Sequence, residues 1–495
     1  MTAERNSWIA LGTLCIGFFM ILLDMTIVAV ANPAILNDLQ TDVNSVVWVT
    51  SAYLLAYAAP LLVTGRLGDR FGPKNIYLIG LTVFTLASLW CALSSSIDML
   101  IAARAVQGLG AALMTPQTMA VITRIFPPHR RGAAMGAWGS VAGVATLVGP
   151  ILGGVLVDSL GWEWIFFVNV PVGLIAFLLA LRFVPGLETH EHKFDIPGVV
   201  LSALGMFLLV FGIQEGSNFD WSAPVWAVIG AGIVILAGFV WYQSRNKGEP
   251  LLPLGLFRDR NFSLANVAIS AMGASVTALM LPLFFYLQAV RGLSPTGSAL
   301  VIAPMAIVTG LLAPVVGRMV DRLHPRYIPT FGFALLAMTI VWLASLMEVD
   351  TPVWQLMIPT VFMGLANACI WAPLGATATH GLPPRQAGAG AGVYNTTRQV
   401  GAVLGSAGVG ALITARMSAQ GLSGHGVSEG GTSGPMPAFL LQPFSVALSE
   451  AMLLPAAVLA IGVIASVLFV RNRGQAPGGP EQRSEEAVAA PNRIG

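Results

Sequence analysis

The chain has 495 residues, of which 56% are hydrophobic and only 10% charged, with a formal net charge of +2. Soluble domains carry about 25% charged residues, so this composition excludes an ordinary soluble protein. The small net charge also gives no reason to expect a nucleic-acid partner. Apolar runs of about 20 residues or more predict membrane-spanning helices, because the strands of a β-barrel would alternate in much shorter segments.

About fourteen such spans follow one another along the chain, which predicts an all-α integral membrane protein. We divide it into an N-terminal six-helix bundle (1–184), a linker with two extra helices (185–261), a C-terminal six-helix bundle (262–471) and a disordered cytoplasmic tail (472–495). A segment rich in Gly, Ser and Pro, from about Gly421 to Pro443, is predicted to be a flexible external loop. The spans are predicted near 8–32, 45–65, 76–96, 99–124, 132–157, 164–184, 196–215, 223–243, 262–288, 297–319, 327–347, 353–379, 387–415 and 446–470.

The basic residues are divided unequally between the two sides of the membrane. Of the 25 Lys and Arg residues, all but four lie at the termini or in one alternate set of loops. The exceptions are Arg291 and Arg416 in the opposite loops and Arg104 and Arg398 inside spans. By the positive-inside rule, the basic loops and both termini are predicted to face the cytoplasm.

The two ends of the chain resemble each other in their glycine and proline positions. Gly108, Pro127-Pro128, Gly132, Gly136 and Gly149 have counterparts 256 positions later, in Gly364, Pro383-Pro384, Gly388, Gly392 and Gly405. The segment that begins Gly65-Arg66-Leu67 is echoed 252 positions later by Gly317-Arg318-Met319. Such parallel repeats characterise one class of transporters, whose substrate site lies between the two halves.

Asp24 lies in the middle of the first predicted span. A carboxylate at this depth costs about 2.5–3.5 kcal/mol to insert, so we expect it to face a water-filled cavity or a partner. Because burial disfavours the charged form of a carboxyl group, Asp24 can in principle exchange a proton for a substrate cation. The alternative is a neutral, hydrogen-bonded acid that only stabilises contacts between helices.

Arg104 lies in the outer third of the fourth predicted span. A guanidinium keeps its charge when buried, so this side chain needs a carboxylate, amide or carbonyl partner. We interpret it as a fixed positive charge that tunes the proton affinity of an acid. The alternative is that it snorkels to the nearby outer surface.

A ten-residue pattern, Gly65-Arg66-Leu67-Gly68-Asp69-Arg70-Phe71-Gly72-Pro73-Lys74, is predicted to be the cytoplasmic loop between spans two and three. Its glycines permit a tight turn and a close approach of helices. Asp69 can accept hydrogen bonds at a helix start or pair with Arg130 or Arg131, and such a charge clasp would hold two helix groups together in one state. The alternative is a solvated basic loop.

Small residues form a stripe on the fifth predicted span, which lets helices approach closely. One interpretation is that the stripe only allows helices to pack closely. The other is that it forms a seam along which the two halves slide, with a kink near Pro150. It consists of residues that recur every seven positions, Gly132, Gly139, Thr146 and Gly153, and of a parallel row on the same face, Gly136, Gly143 and Pro150.

A polar run, Asn395-Thr396-Thr397-Arg398-Gln399, interrupts the thirteenth predicted span. Polar side chains at this depth are costly unless they face a cavity, so the run is predicted to line a central substrate pathway. The alternative is a polar cluster that only packs helices together. Trp371 is a candidate for an apolar part of the same pathway, with Phe284, Phe285, Tyr286 and Met305.

These motifs together resemble the major facilitator superfamily over nearly the whole chain. The 65–74 segment is similar to the signature that this family has between spans two and three. The family's fourth-span motif, whose arginine is associated with proton coupling, resembles Arg104-Ala105-Val106-Gln107-Gly108. The fifth-span motif typical of antiporters resembles Gly139-Ser140-Val141-Ala142-Gly143, running on to Gly149-Pro150-Ile151-Leu152-Gly153-Gly154. Leu23 to Val28 and Trp162 to Pro171 are similar to the fourteen-span drug:proton antiporter branch, although Glu163 stands where that branch usually has a basic residue.

The sequence therefore predicts a proton-coupled antiporter in the cytoplasmic membrane that exports hydrophobic, cationic small molecules. The alternative within transporters is export of an endogenous lipid, siderophore or other metabolite. Enzyme motifs such as HExxH, GxSxG or a phosphate-binding loop do not occur in the sequence, and neither does a Cys/His cluster, so we expect no enzyme, no metal and no cofactor. The three cysteines are expected to pack in spans, and the transporter is expected to be a monomer in the lipid bilayer.

Overall fold

A computed structural model of the chain describes residues 2–126, 128–187, 195–216, 219–246, 250–252, 254–320, 324–380, 387–422 and 437–470. Within these ranges, twelve helices are long and apolar enough to cross a membrane. Two shorter apolar helices, Val43–Ala58 and Val148–Leu160, lie in two further predicted spans. The prediction of a helical, multi-span membrane protein is confirmed, and the total of fourteen spans stays a prediction.

The N-terminal half contains eight helices, which we number in chain order. Some begin where a side chain accepts a hydrogen bond from an N–H group of the first turn: the Asp42 carboxylate accepts from Ser45 N at 2.9 Å, and the Ser96 hydroxyl from Met99 N at 3.3 Å. The helices are α1 (Thr2–Asp38), α2 (Val43–Ala58), α3 (Leu61–Phe71), α4 (Pro73–Ala92), α5 (Ile97–Ile125), α6 (Pro128–Leu160), α7 (Trp164–Phe167) and α8 (Asn169–Phe183).

Two further helices, α9 (Ile196–Glu215) and α10 (Ala223–Arg245), form the extra hairpin between the halves. They pack against each other, and α9 also contacts α2 and α15. The C-terminal half contains α11 (Arg260–Phe285), α12 (Pro295–Val320), α13 (Tyr327–Ser345), α14 (Val353–His380), α15 (Ala387–Ala419), α16 (Ala438–Ala451) and α17 (Leu453–Val467), with a 3-10 helix at Leu254–Arg258 and a π-helical turn at Tyr286–Val290.

One predicted connection is wrong, and the end of another is misplaced, because helices extend into them. The 65–74 segment is not a loop: α3 continues to Phe71, α4 begins at Pro73, and only Gly72 turns the chain, with φ at +90°. A left-handed φ of this size suits glycine, which has no Cβ to clash. The predicted external loop ends earlier than Pro443, because α16 starts at Ala438 and buries Leu440 and Phe444. Most of that loop (423–436) and the predicted tail (472–495) lie outside the described residues, so both stay predictions.

The internal repeat reappears in the packing of the two halves. A Cβ atom placed on Gly108 would meet the carbonyl oxygen of Tyr53, and one placed on Gly364 would meet that of Met305. Tyr53 and Met305 are themselves 252 positions apart, the same spacing as in the signature segments. The shared glycines therefore mark equivalent close approaches of equivalent helices, which only residues without a side chain permit.

Among the described residues, the two most extensive contacts between the halves are the seams of α2 with α15 and of α6 with α12, and α1 also contacts α11. At the first seam the hydroxyl groups of Ser51 and Ser406 are 2.8 Å apart. At the second, Thr296 N donates to the Asp158 carboxylate at 3.0 Å. Asp158 and Thr296 both lie near loops predicted to be external, so the second seam is closed at the predicted outer end.

Candidate functional site

Asp24 lies inside α1 and is completely buried. Its Oδ2 atom is 2.5 Å from Nη1 of Arg104, which projects from α5 and is buried as well. A buried carboxylate is tolerated when an opposite charge and further hydrogen bonds compensate its lost hydration. Of the two predicted environments for Asp24, a cavity or a partner, the structure has the partner.

The second carboxylate oxygen of Asp24 is held by two side-chain amides. Gln107 Nε2 donates to Oδ1 at 2.8 Å, and Asn169 Nδ2 donates to the same atom at 3.3 Å. Gln107 lies on α5 and Asn169 at the start of α8. We call Asp24, Arg104, Gln107 and Asn169 the Asp24 cluster; it joins helices α1, α5 and α8 through one carboxyl group.

Arg104 has the amide and carbonyl partners that the sequence required in addition to its acid. Its Nε donates to the backbone oxygen of Val49 on α2 at 3.1 Å, and Nη1 also donates to Gln107 Oε1 at 2.6 Å. The Tyr53 ring lies 4.1 Å from the guanidinium carbon, within the range of a cation–π interaction. The alternative that Arg104 snorkels to the outer surface is wrong, because its side chain is 1% exposed.

A second layer on α4 fixes the amide of Gln107. Gln107 Nε2 also donates to the Ser88 hydroxyl at 2.8 Å, and the Cys91 thiol lies 3.7 Å from Oε1. Ser88 in turn donates to the carbonyl of Phe84 at 2.8 Å. Through these contacts Gln107 keeps one orientation, in which its nitrogen faces Asp24 and its oxygen faces Arg104.

Gln107 and Asn169 were not among the candidate residues drawn from the sequence. A signal for Gln107 existed, because it follows Arg104 by three positions and therefore lies on the same face of a helix. Asn169 is a polar residue in an apolar stretch. Because inserting a polar side chain into a membrane is unfavourable, as for Asp24, this position could also have been chosen as a candidate. The pairing itself could not be read from the chain, since 80 positions separate Asp24 from Arg104.

Small residues in the second half of α6, from the predicted stripe and from the antiporter motif, face two different neighbouring helices. Gly149 and Gly153 lie against α1, where an added Cβ would meet Thr26 and Ile27 respectively. Gly154 instead lies against α12, where an added Cβ would meet the backbone of Thr296. Pro150 lies within the same helix, between these contacts. These small residues therefore pack α6 between the helix that carries Asp24 and the opposite half of the protein.

The remaining antiporter-motif glycines, Gly139 and Gly143, lie in the first part of α6, and their surroundings are outside the described part of the structure. The same holds for most of the predicted clasp. Asp69 falls in the last turn of α3 and not at a helix start. Arg70 is exposed, with its guanidinium carbon 5.5 Å from the Phe71 ring. The side chains of Gly65, Asp69, Arg130 and Arg131 lie outside what the structure describes, so the clasp stays a prediction.

The predicted substrate-pathway residues lie on α15 and α14 in the C-terminal half. Asn395, Thr396 and Arg398 are partly exposed, while Gln399 is completely buried. Trp371 Nε1 donates to Asn367 Oδ1 at 3.1 Å. Among the described residues, both amide atoms of Gln399 lack a hydrogen-bond partner, and Arg398 has no carboxylate within 4.0 Å. The described hydrogen bonds do not connect this group to the Asp24 cluster.

Two similar helical halves, an acid–base pair buried inside apolar helices long enough to cross a membrane, and close contacts between small residues define a membrane transporter. Comparison with known proteins gives the family: the chain matches the Major Facilitator Superfamily over residues 14–406. It belongs to this superfamily, as its motifs indicated. The relatives of this chain include proteins named as multidrug resistance or multidrug export proteins.

Three relatives illustrate the range of similarity. An uncharacterized MFS-type transporter of Mycobacterium tuberculosis is 55% identical, covering 95% of this chain and 82% of the relative. The tetracenomycin C resistance and export protein of Streptomyces glaucescens is 35% identical, covering 83% and 76%. The riboflavin transporter RibZ of Clostridioides difficile is 30% identical, covering 94% and 98%.

Solved structures support the fold. A crystal structure of a bacterial homolog of the human lysosomal transporter Spinster aligns with a TM-score of 0.64 at 17% identity, covering 94% of this chain and 96% of that one. At this level of identity the similarity concerns the fold alone.

Proposed function

We propose that the protein is a proton-coupled antiporter that exports hydrophobic, cationic small molecules across the cytoplasmic membrane by alternating access. The single observation that carries the proposal is the buried pair of Asp24 and Arg104, joined at 2.5 Å inside a helix bundle. The proton gradient supplies the energy without a cofactor. The transporter works as a monomer, with both termini in the cytoplasm.

The chemistry of the pair suits proton exchange. Protonation of Asp24 removes the anion, whereas the guanidinium of Arg104 keeps its charge. That charge would still have the carbonyl of Val49, the oxygen of Gln107 and the ring of Tyr53 as partners. The remaining cation is thus partly compensated, which limits the cost of the protonated state.

In the present conformation the carboxyl group of Asp24 has no exposed surface. Proton exchange with either aqueous compartment therefore requires another conformation, in which α1 has moved relative to α5 or α8. Such a movement is what alternating access provides, and the protonation state of one group would then favour one arrangement of the halves over the other.

Contacts of α1 offer a route from the proton site to the seam between the halves. Gly149 and Gly153 of α6 pack closely against the segment of α1 that follows Asp24. On its other face α6 touches α12 through Gly154 and through the hydrogen bond from Thr296 N to Asp158. A shift of α1 would be passed through α6 to the C-terminal half, because close-packed helices cannot deform independently.

The charge of the substrate distinguishes two candidates. A cationic substrate would stabilise the ionised form of Asp24, and a proton would displace it. Arg398 favours the second candidate, export of an endogenous metabolite, lipid or siderophore with an acidic group, because its guanidinium has no carboxylate partner among the described residues. The similarity to a riboflavin transporter is a weaker argument in the same direction.

Transport by the purified protein in liposomes, under an imposed pH gradient, tests the proposal. The panel contains lipophilic cations, lipophilic acids, neutral drugs and lipids. We expect gradient-driven movement of the cations, which Asp24→Asn abolishes because an amide cannot exchange a proton. Asp38→Asn is the matched control, since Asp38 lies at the exposed end of the same helix.

Three outcomes separate the possibilities. Full gradient-driven transport by the Asp24→Asn protein would refute proton coupling through this group. Movement of acids but not cations would replace the first candidate by the second. Transport that ignores the pH gradient altogether would refute the antiport mechanism while leaving the export activity in place.

A further inference from the structure

The extra hairpin is fastened to the N-terminal half by two adjacent polar residues at the end of α9. Glu215 Oε1 accepts a hydrogen bond from the Trp48 indole at 2.5 Å and one from Asn44 Nδ2 at 3.1 Å. Both donors lie in the first turns of α2. Phe211 adds an aromatic contact, with its ring centroid 6.2 Å from that of Trp48.

Gln214 extends the attachment to the seam between the halves. With the amide turned so that its oxygen faces Trp48, its nitrogen donates to the Ser51 hydroxyl at 2.9 Å. The single N–H of the Trp48 indole is then shared between this amide oxygen, at 3.0 Å, and Glu215 Oε1. Ser51 is the residue whose hydroxyl meets that of Ser406 on α15. Gln214 is 1% exposed, so this amide is held in place by its partners and not by water.

The contact of α9 with α15 has a different character. Met206 and Val210 of α9 share one buried apolar cluster with Ala402, Val403 and Ala407 of α15. Contacts between such side chains have no preferred direction, and small residues leave a smooth surface. Hydrogen bonds, by contrast, hold partners at fixed distances and angles.

From this difference we infer that Gln214 and Glu215 are positioning residues, which attach the extra hairpin to α2 so that it moves with the N-terminal half and slides over α15. The inference rests on the alternating access of the proposed function. When the outer ends of α2 and α15 separate, α9 must leave one of them. It leaves α15, because parting from α2 would strand the buried amide of Gln214 and the carboxylate of Glu215 without partners.

Distances between pairs of spin labels test the inference on the full-length protein in liposomes. The labelled positions are Leu204 on α9, Ile79 on α4 and Met338 on α13, all of which are exposed. As pH is varied to shift the transporter between its states, we expect the 204–79 distance to stay constant. The 204–338 and 79–338 distances should change together. A constant 204–338 distance with a changing 204–79 distance would overturn the inference.

Variants decide whether the two polar residues make the attachment. With Gln214→Ala and Glu215→Ala combined, we expect the narrow 204–79 distance distribution to broaden. Glu215→Gln alone should keep it narrow, because the amide oxygen can still accept from Trp48 and Asn44. Asn246→Ala is the matched control: Asn246 donates to Asp195 at the other end of the same hairpin, at 3.3 Å. An unchanged distribution in the double variant would overturn the assignment.

The two proposals fail separately. If the 79–338 distance is the same under every condition, alternating access in the proposed function is refuted. The width of the 204–79 distribution in the double variant would still decide the attachment, because that measurement needs no change of state.

Discussion

Arg104 and Thr360 occupy equivalent positions in the two halves, 256 residues apart, and each donates a side-chain hydrogen bond to an equivalent backbone oxygen. Arg104 Nε donates to Val49 at 3.1 Å, and Thr360 Oγ1 donates to Val301 at 3.2 Å. The halves thus share one scaffold at this point, but the charge is present in only one of them. The candidate proton site is a specialisation of the N-terminal half.

The packing of the helices extends the comparison to the acid. Gly149 lies near the carbonyl of Leu23, and its repeat partner Gly405 lies near the carbonyl of Ala274. The equivalent of Asp24 is therefore Ser275, whose hydroxyl donates to the carbonyl of Pro455 at 2.9 Å. A neutral serine and a neutral threonine therefore stand in the C-terminal half where the N-terminal half has the ion pair.

Removing one member of the ion pair should cost far more than removing both. Arg104→Ala leaves the carboxylate of Asp24 buried without a cation, which destabilises by about 3–5 kcal/mol. The double variant with Asp24→Asn should recover most of this loss. Thermal unfolding in detergent measures the difference. Arg416→Ala is the control, since its 3.4 Å pair with Glu450 is exposed and such pairs contribute about 0–1 kcal/mol. Equal losses in the single and the double variant would contradict a coupled pair.

Gly154→Ala should disturb the seam between α6 and α12. The added Cβ would lie 2.6 Å from Thr296 Cα and 2.8 Å from its nitrogen, and these backbone atoms cannot turn aside. We expect transport to fall because the contact at the predicted outer end opens. Cysteines introduced near that end should then react faster with a thiol reagent. Gly310→Ala in α12 meets no atom within 4 Å and serves as the control. Alanine stabilises a helix by about 1 kcal/mol relative to glycine, so neither substitution weakens its own helix. A loss of transport seen only in the Gly154→Ala protein would therefore come from the seam. Unchanged transport and labelling would show that the seam tolerates separation.

Asp195 should make the extra hairpin sensitive to acid. This carboxylate precedes α9 and accepts hydrogen bonds from Gly198 N at 3.0 Å and from Gln243 Nε2, at the end of α10, at 2.6 Å. Burial alone would raise the pKa of Asp195, but the hydrogen bonds outweigh it and the pKa lies below its usual range.

The direction of the pH dependence follows from the lowered pKa. A carboxyl group with a lower pKa in the folded state stabilises the fold above its unfolded-state pKa of about 3.9, and this contribution is lost as pH falls through the folded-state pKa. Asp195→Ala should therefore lower thermal stability at pH 7 and make progressively less difference as pH falls through the folded-state pKa. A difference that grows as pH falls would contradict this explanation.

Asp69→Ala tests the clasp that the sequence predicts. If Asp69 pairs with Arg130 or Arg131 in one state only, its loss should slow turnover more than it weakens substrate binding. Initial rates and substrate affinity, measured on the same liposomes, separate the two effects. Asp220→Ala, in the loop between α9 and α10, is a control of equal charge change at an exposed position. An unchanged rate in the Asp69→Ala protein would refute the clasp.

The sequence alone determined the class of protein, the repeat and the presence of Asp24 and Arg104 inside apolar helices. Each of these depends on local or periodic properties of the chain. An apolar run of sufficient length forms a membrane helix wherever it occurs. Inserting Asp24 or Arg104 within such a run costs free energy whatever the neighbouring helices are. The signature segment was located correctly but read as a loop. Its polar composition concealed that α3 continues as a helix to Phe71 and that Gly72 alone makes the turn.

The tertiary structure decided which buried groups meet. Asp24 could have paired with Arg398, with a cavity or with Arg104, and only the packing of α1 against α5 and α8 brings Arg104, Gln107 and Asn169 to its two oxygens. The attachment of the extra hairpin through Gln214 and Glu215 was equally hidden. Hydropathy measures how strongly a residue prefers the membrane, whereas partners across helices depend on rotation and spacing, which are set jointly by every contact in the bundle.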